Sequence, residues 1–94
     1  MGLFRKSDKD WYNKGTSLEA SGRHEEAIQC FNKALEMNPG YAKAWNNKGV
    51  SLKRQGRTQE ALEHFEKALD IFKKKFGDEH PKTKEVFKNL QSIS

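Results

Sequence analysis

Residues 8–41 read DKDWYNKGTSLEASGRHEEAIQCFNKALEMNPGY, and residues 42–75 read AKAWNNKGVSLKRQGRTQEALEHFEKALDIFKKK. Laid over one another at an offset of 34, the two stretches agree at 15 of 34 positions. The identical pairs are Lys9/Lys43, Trp11/Trp45, Asn13/Asn47, Lys14/Lys48, Gly15/Gly49, Ser17/Ser51, Leu18/Leu52, Gly22/Gly56, Arg23/Arg57, Glu26/Glu60, Ala27/Ala61, Phe31/Phe65, Lys33/Lys67, Ala34/Ala68 and Leu35/Leu69. Near matches such as Ile28/Leu62 and Glu36/Asp70 extend the agreement. A period of this length marks a chain of stacked units, each burying its apolar face only against its neighbours.

The spacing inside a unit says what it is. Trp11, Gly15 and Leu18 fall at i, i+4 and i+7, which places them on one face of a helix. Ala27, Phe31, Ala34 and Leu35 mark a second helix after the Ser21-Gly22 punctuation, and Asn38-Pro39-Gly40 ends it. Each unit therefore reads as helix, short turn, helix. Gly15 and Gly49 stand in mid-helix, where glycine costs about 1 kcal/mol against alanine. A cost accepted twice implies a steric reason: the paired helix comes too close for a side chain, with Ala27 and Ala61 small for the matching reason.

The pattern Trp11…Gly15…Leu18…Ala27…Phe31…Ala34…Pro39, with Trp45…Gly49…Leu52…Ala61…Phe65…Ala68 after it, resembles the tetratricopeptide repeat family. The second unit departs from the family at Lys73, where proline is usual. The resemblance implies an all-α, right-handed α-solenoid: repeat 1 over 8–41, repeat 2 over 42–75, and a loop and capping helix over 76–94, all in one domain spanning 1–94.

In chain order, Met1 to Ser7 looks at first like a myristoylation site, but Lys6 stands where Ser or Thr is needed. It reads as a lead-in, with Leu3 and Phe4 packing back on the first helix. Ser7 with Asp10 is a cap for that helix, expected over 8–20. Further helices are expected over 23–37 and 41–55, and a fourth with Thr58 as its N-cap. The fourth has no Asn-Pro-Gly break and runs on through Lys73, Lys74 and Lys75 to Gly77, a C-cap residue, with its cations where the helix dipole favours them. Pro81 then opens a fifth helix striped by Val86, Leu90 and Ile93. Aligning Phe87 with Trp45 gives an interval of 42, eight beyond the period. This extension, with Gly77-Asp78-Glu79-His80-Pro81, resembles the longer repeats of the kinesin light chain group. The fifth helix reads as a cover for the second unit.

Composition bounds the function. The chain has 94 residues, net charge +5 and 34% hydrophobic content, lean for a globular core and ordinary for a thin helical stack. It holds no apolar run long enough for a membrane span or signal peptide. A single cysteine, Cys30, points to a reducing, cytoplasmic setting and reads as a small packing residue. His24, His64 and His80 lack metal-ligand spacing, and no catalytic constellation is present; no enzyme activity, metal or cofactor is expected. Two and a half units fall below the usual minimum of three. The long fourth helix and the fifth make up the deficit, or the chain pairs with itself, or it belongs to a longer array; a monomer or weak homodimer follows.

In the family the first helix of each unit lines a concave groove that takes extended or helical peptides. Carried over by position, the groove is lined by Lys9, Tyr12, Asn13, Thr16 and Glu19 on the first helix. The third adds Lys43, Asn46, Asn47, Val50, Lys53 and Arg54, and the fifth Glu85, Lys88, Asn89 and Ser92. Asparagine amides suit a peptide backbone, and lysine and arginine suit carboxylates. Cations outnumber acids, so the expected partner is an acidic or carboxylate-ended protein segment, held by a scaffold or adaptor. The chaperone-tail carboxylate clamp fits at Asn47 alone: Tyr12, Thr16 and Asn89 replace its Lys, Asn and Arg. A basic nucleic-acid-binding repeat is the alternative, from Lys73, Lys74, Lys75, Lys82, Lys84 and Lys88. It is disfavoured because Tyr12 has no aromatic counterpart at Asn46 to stack a base. A structural piece that self-associates through its ends is the other alternative.

Overall fold

The computed structural model describes residues 5–93. The expected packing of Leu3 and Phe4 falls outside them. The described residues form five α-helices and no strand: α1 Asp8–Ala20, α2 His24–Met37, α3 Ala42–Arg54, α4 Thr58–Phe76 and α5 Pro81–Gln91.

Local chemistry sets the ends. The Ser7 hydroxyl accepts the Asp10 N–H at 3.1 Å while the Asp10 carboxylate accepts the Ser7 N–H at 2.9 Å, the reciprocal cap expected for α1. Those bonds hold the Asp10 carboxyl below its ordinary range. Helix α3 is one residue shorter at each end than expected, with Tyr41 and Gln55 as its caps, and the starts of α2 and α4 also differ. Helix α2 begins at His24 with Arg23 as cap, and Thr58 is the first residue of α4 rather than its cap. For α2 and α4 the reason is the same. Gly22 and Gly56 turn the chain at φ +80° and +81°, and the next arginine's N–H bonds back to Leu18 or Leu52 at 2.9 Å. That puts Arg23 and Arg57 at the cap, where each clamps a carboxylate three residues on: Glu26 at 2.7 and 2.9 Å, Glu60 at 2.9 and 2.8 Å.

The fourth helix runs 19 residues, and Gly77 at φ +87° closes it. Pro81 opens α5, with His80 Nδ1 accepting the Lys82 N–H at 3.1 Å and its ring stacked on Phe76 at 4.2 Å.

Each helix packs on the next in sequence, and α1 also meets α3. This puts α1, α3 and α5 in one layer and α2 and α4 in the other, an α-solenoid of 45 × 29 × 18 Å. The mid-helix glycines have the steric reason expected of them, with a sharper partner. A Cβ on Gly15 would lie 2.6 Å from Phe31 Cε1, and one on Gly49 would lie 2.6 Å from Phe65 Cε1. Both rings are fully buried, as are Ala27 and Ala61 one turn before them. Ala68, Phe72 and Val86 join Leu52 and Phe65 in one cluster, so α5 does cover the second hairpin. Trp45 packs against both this cluster and the Ala34–Leu35–Ala44 cluster, while Trp11 packs against the second. Trp45 Nε1 donates to the Pro39 carbonyl at 2.8 Å. Cys30 is buried, in agreement with a packing role.

Candidate functional site

The layer of first helices carries a polar ladder. Asn47 Nδ2 on α3 donates to the Tyr12 hydroxyl oxygen on α1 at 2.9 Å. Asn89 Nδ2 on α5 donates to Asn46 Oδ1 on α3 at 3.1 Å. Tyr12 and Asn46 are equivalent positions in the repeat, so one rung is built twice with different side chains. Burial pushes the Tyr12 hydroxyl pKa up, with the Asn47 bond opposing. Its ring lies 5.0 Å from Tyr41 and 6.0 Å from Phe31.

Below the first rung sits a node. Glu19 accepts from the buried Ser51 hydroxyl, from Arg54 at 2.6 Å, and meets His24 Nδ1 at 2.9 Å. Burial alone would raise the Glu19 pKa, but the bonds from Ser51, His24 and Arg54 outweigh it and hold the carboxyl below its ordinary range. Glu19 and Arg54, expected to face a ligand, are thus engaged with each other.

Two hollows flank Asn47. One, of about 330 Å³, lies between α1 and α3 and is lined by Thr16, Glu19, Ala20, Asn47, Val50 and Arg54 with the edge of Phe31. The other, of about 260 Å³, lies between α3 and α5; Tyr12, Lys43, Asn46 and Asn47 line it with Lys82, Glu85, Phe72 and Val86. The structure therefore brings together nine of the expected residues, Tyr12, Thr16, Glu19, Lys43, Asn46, Asn47, Val50, Arg54 and Glu85, around one polar seam. It separates others. Lys9 and Asn13 are exposed outside both hollows, and Thr16 donates to the Asn13 carbonyl at 2.8 Å. Lys53 donates to the Ser92 hydroxyl at 2.7 Å. Lys88 lies on another surface, with Lys84, Phe87 and Gln91.

Sequence reasoning missed Lys82 as a lining residue. It placed Asn46 on the groove lining, where Asn46 is 7% exposed with its carbonyl engaged by Asn89. The signal was available: Tyr12 and Asn47 are 35 apart, Asn46 and Asn89 are 43 apart, and the difference is the eight-residue extension. No group of three or more His, Cys, Asp or Glu placed to hold a metal occurs among the described residues. None of the described helices is long and apolar enough to cross a membrane.

Comparison with known proteins agrees with this architecture. A TPR repeat-containing protein of Methanocaldococcus jannaschii, MJ0941, is 44% identical over 34 residues, covering 36% of this chain and 10% of that protein. The solved structure titled "Crystal structure of MamA protein" superposes with a TM-score of 0.72 at 24% identity, covering 96% of this chain and 50% of that one. The chain thus spans a tenth of the archaeal relative and half of the solved chain. Residues 12–75 match the profile of the tetratricopeptide repeat. The chain belongs to the tetratricopeptide repeat family.

Proposed function

We propose that the α1/α3/α5 face is a concave groove that holds an extended acidic or carboxylate-ended protein segment, and that the chain works as a scaffold or adaptor module. The family mediates protein–protein interaction as a scaffold. The finer reading rests on one observation: the α3/α5 hollow sets Lys43 and Lys82 beside a seam of amides, with Glu85 as its one carboxylate. The cations supply attraction and the amides supply direction, since Asn47 and Asn89 are themselves held in place by the ladder. Of the residues carried over from the family, Tyr12, Thr16, Lys43, Asn46, Asn47 and Val50 form the floor of the groove; Lys9, Asn13, Lys53, Arg54, Lys88 and Asn89 form its margins. Residues 1–94 act as one domain, monomeric or weakly dimeric, in a reducing cytoplasmic setting. The α4 extension and the loop after it keep the likeness to kinesin light chain repeats within this proposal.

Nucleic acid fits less well. Lys73, Lys74 and Lys84 of the basic run are each paired to a carboxylate.

The test is fluorescence anisotropy with labelled nonapeptides: Asp/Glu-rich with a free C-terminus, the same with an amidated C-terminus, and Lys-rich. The acidic peptides bind, and Lys43→Glu weakens them about tenfold, or ~1.4 kcal/mol. Lys67→Glu, on α4 in the other layer, leaves the affinity unchanged. Equal binding of acidic and Lys-rich peptides, or indifference to Lys43→Glu, rejects the groove reading.

A further inference from the structure

The basic run at the end of α4 and the start of α5 divides in two. Lys73 meets Asp78 at 3.7 Å, Lys74 meets Asp70 at 3.2 Å and Lys84 meets Glu79 at 3.0 Å. Lys75 and Lys82 form no ion pair among the described residues, and neither does Lys43 on α3. These three line one hollow of about 300 Å³, where α3 begins, α4 ends and α5 begins. Its walls include Tyr41, Phe72 and Phe76, and no carboxylate lines it. The Lys75 and Lys82 ammonium groups stand 5.5 and 5.6 Å from the Phe76 ring centroid, so one buttressed ring carries both. That ring is itself stacked on His80.

We infer that this hollow is a subsite for a phosphoryl dianion, bound by Lys43, Lys75 and Lys82. Three like charges gathered from three helices, with Glu85 on the neighbouring hollow as the nearby carboxylate and none lining this one, repel one another, and an anion between them relieves the repulsion. The neighbouring Lys43 side chain and its charge, then burial and the charge of Lys75, hold the Lys82 ammonium pKa below the usual lysine value, with Glu85 opposing. Ammonium groups bind phosphate as point charges from several directions, and three of them around one hollow match the charge of a dianion better than that of a single carboxylate. The first turn of α3, which opens on the rim, carries no acidic residue and no side-chain cap. Its dipole adds potential of the same sign without carrying the assignment. The subsite shares Lys43, Phe72 and Lys82 with the groove proposed above, yet it does not depend on a peptide being bound there.

The source of the dianion is either free phosphate or a phosphorylated side chain, and the experiment has an arm for each. The full chain is titrated with inorganic phosphate, followed by backbone amide NMR, against chloride at matched ionic strength. Phosphate shifts the amides of Ala42, Lys43, Lys75 and Lys82 and saturates; chloride does not. Lys75→Gln with Lys82→Gln weakens binding about tenfold or more, while Lys73→Gln with Lys84→Gln leaves it unchanged. Lys43→Gln alone gives a second loss from a different helix, and circular dichroism confirms that each variant is folded. A Gly-phosphoserine-Gly tripeptide binding more tightly than inorganic phosphate identifies a phosphorylated segment as the source; the reverse order identifies the free anion. Shifts equal in chloride, or a loss from Lys73→Gln with Lys84→Gln as large as that from Lys75→Gln with Lys82→Gln, overturns the subsite.

Discussion

A methyl built on Gly15 meets Phe31 ring carbons at 2.6, 2.8 and 3.0 Å, and one built on Gly49 meets Phe65 at 2.6, 2.8 and 3.1 Å. The α1–α2 and α3–α4 hairpins therefore cross with the same closeness. Their outward polar positions do not agree. Glu19 is a partly buried node with three partners, whereas its repeat equivalent Lys53 is exposed and, among the described residues, reaches only Ser92. Close packing admits one solution for a given helix crossing, so the sequence repeats there. The polar layer has no such constraint, and its side chains diverge between the units.

The comparison breaks most easily at the rings. Phe31→Ala and Phe65→Ala should each cost about 3–5 kcal/mol, because both side chains are fully buried and leave cavities. Urea denaturation followed by circular dichroism reads both losses. A Phe31→Ala loss well under half of that for Phe65→Ala would show that the first hairpin frays by itself, and the equivalence would fail. Smaller losses, about 1–3 kcal/mol, are expected for Gly15→Ala and Gly49→Ala, since the helix-propensity gain of up to ~1 kcal/mol does not offset a methyl forced against a ring with nowhere to go. Gly49→Leu should leave the chain unfolded.

Next in size is the node. Glu19→Ala removes the partner of the buried Ser51 hydroxyl and of Arg54, and should cost about 1–3 kcal/mol. Lys53→Ala, at the equivalent exposed position, should stay within about 0.5 kcal/mol. The node also predicts a pH dependence. The folded pKa of Glu19 is lowered, so its contribution is complete above the unfolded carboxylate pKa and is lost as pH falls through the folded one. Urea midpoints of the native chain should thus drop on acidification, and Glu19→Gln should flatten part of that drop. A Glu19→Gln profile parallel to that of the native chain would remove Glu19 from the node.

The core was legible in the sequence because one physical rule, the helical period, operates within each element and the repeat copies it. Trp11, Trp45, Phe31, Phe65 and the two glycines all sit as that rule requires. The caps were half legible. Ser7 and Asp10 form their box from local chemistry alone, but Thr58 lost the cap to Arg57 because the Gly56 turn sets the direction of the chain. For the residues expected to line a groove, a shared layer was legible in the sequence but not the state of each side chain. Asn46, Arg54 and Lys53 lie on the expected layer, yet each is engaged by a side chain about one repeat away, and a list of positions within one helix cannot show that. The Lys43–Lys75–Lys82 cluster had no signal in the period at all. It joins α3 to α4 and α5 across the extension, the one place where the repeat is broken.

The ladder gives modest effects, and its two rungs can be weighed against each other. Asn46 is almost wholly buried, so Asn89→Ala leaves its carbonyl without the bond from α5. Removing one partner of a buried acceptor costs about 1–3 kcal/mol, and the low end applies here because Asn89 is only partly buried and water can approach from its side. Tyr12→Phe deletes the acceptor in the other rung, but Tyr12 and Asn47 are both partly exposed and the freed Asn47 amide can turn to solvent. That loss should be about 0.5 kcal/mol, near the lower bound for a hydrogen bond. The ring contacts with Tyr41 and Phe31 survive the change. Thermal melts of the two variants side by side decide the order. If Tyr12→Phe proves the more damaging, burial does not set the strength of these rungs, and the first hairpin relies on its neighbour more than the second relies on α5.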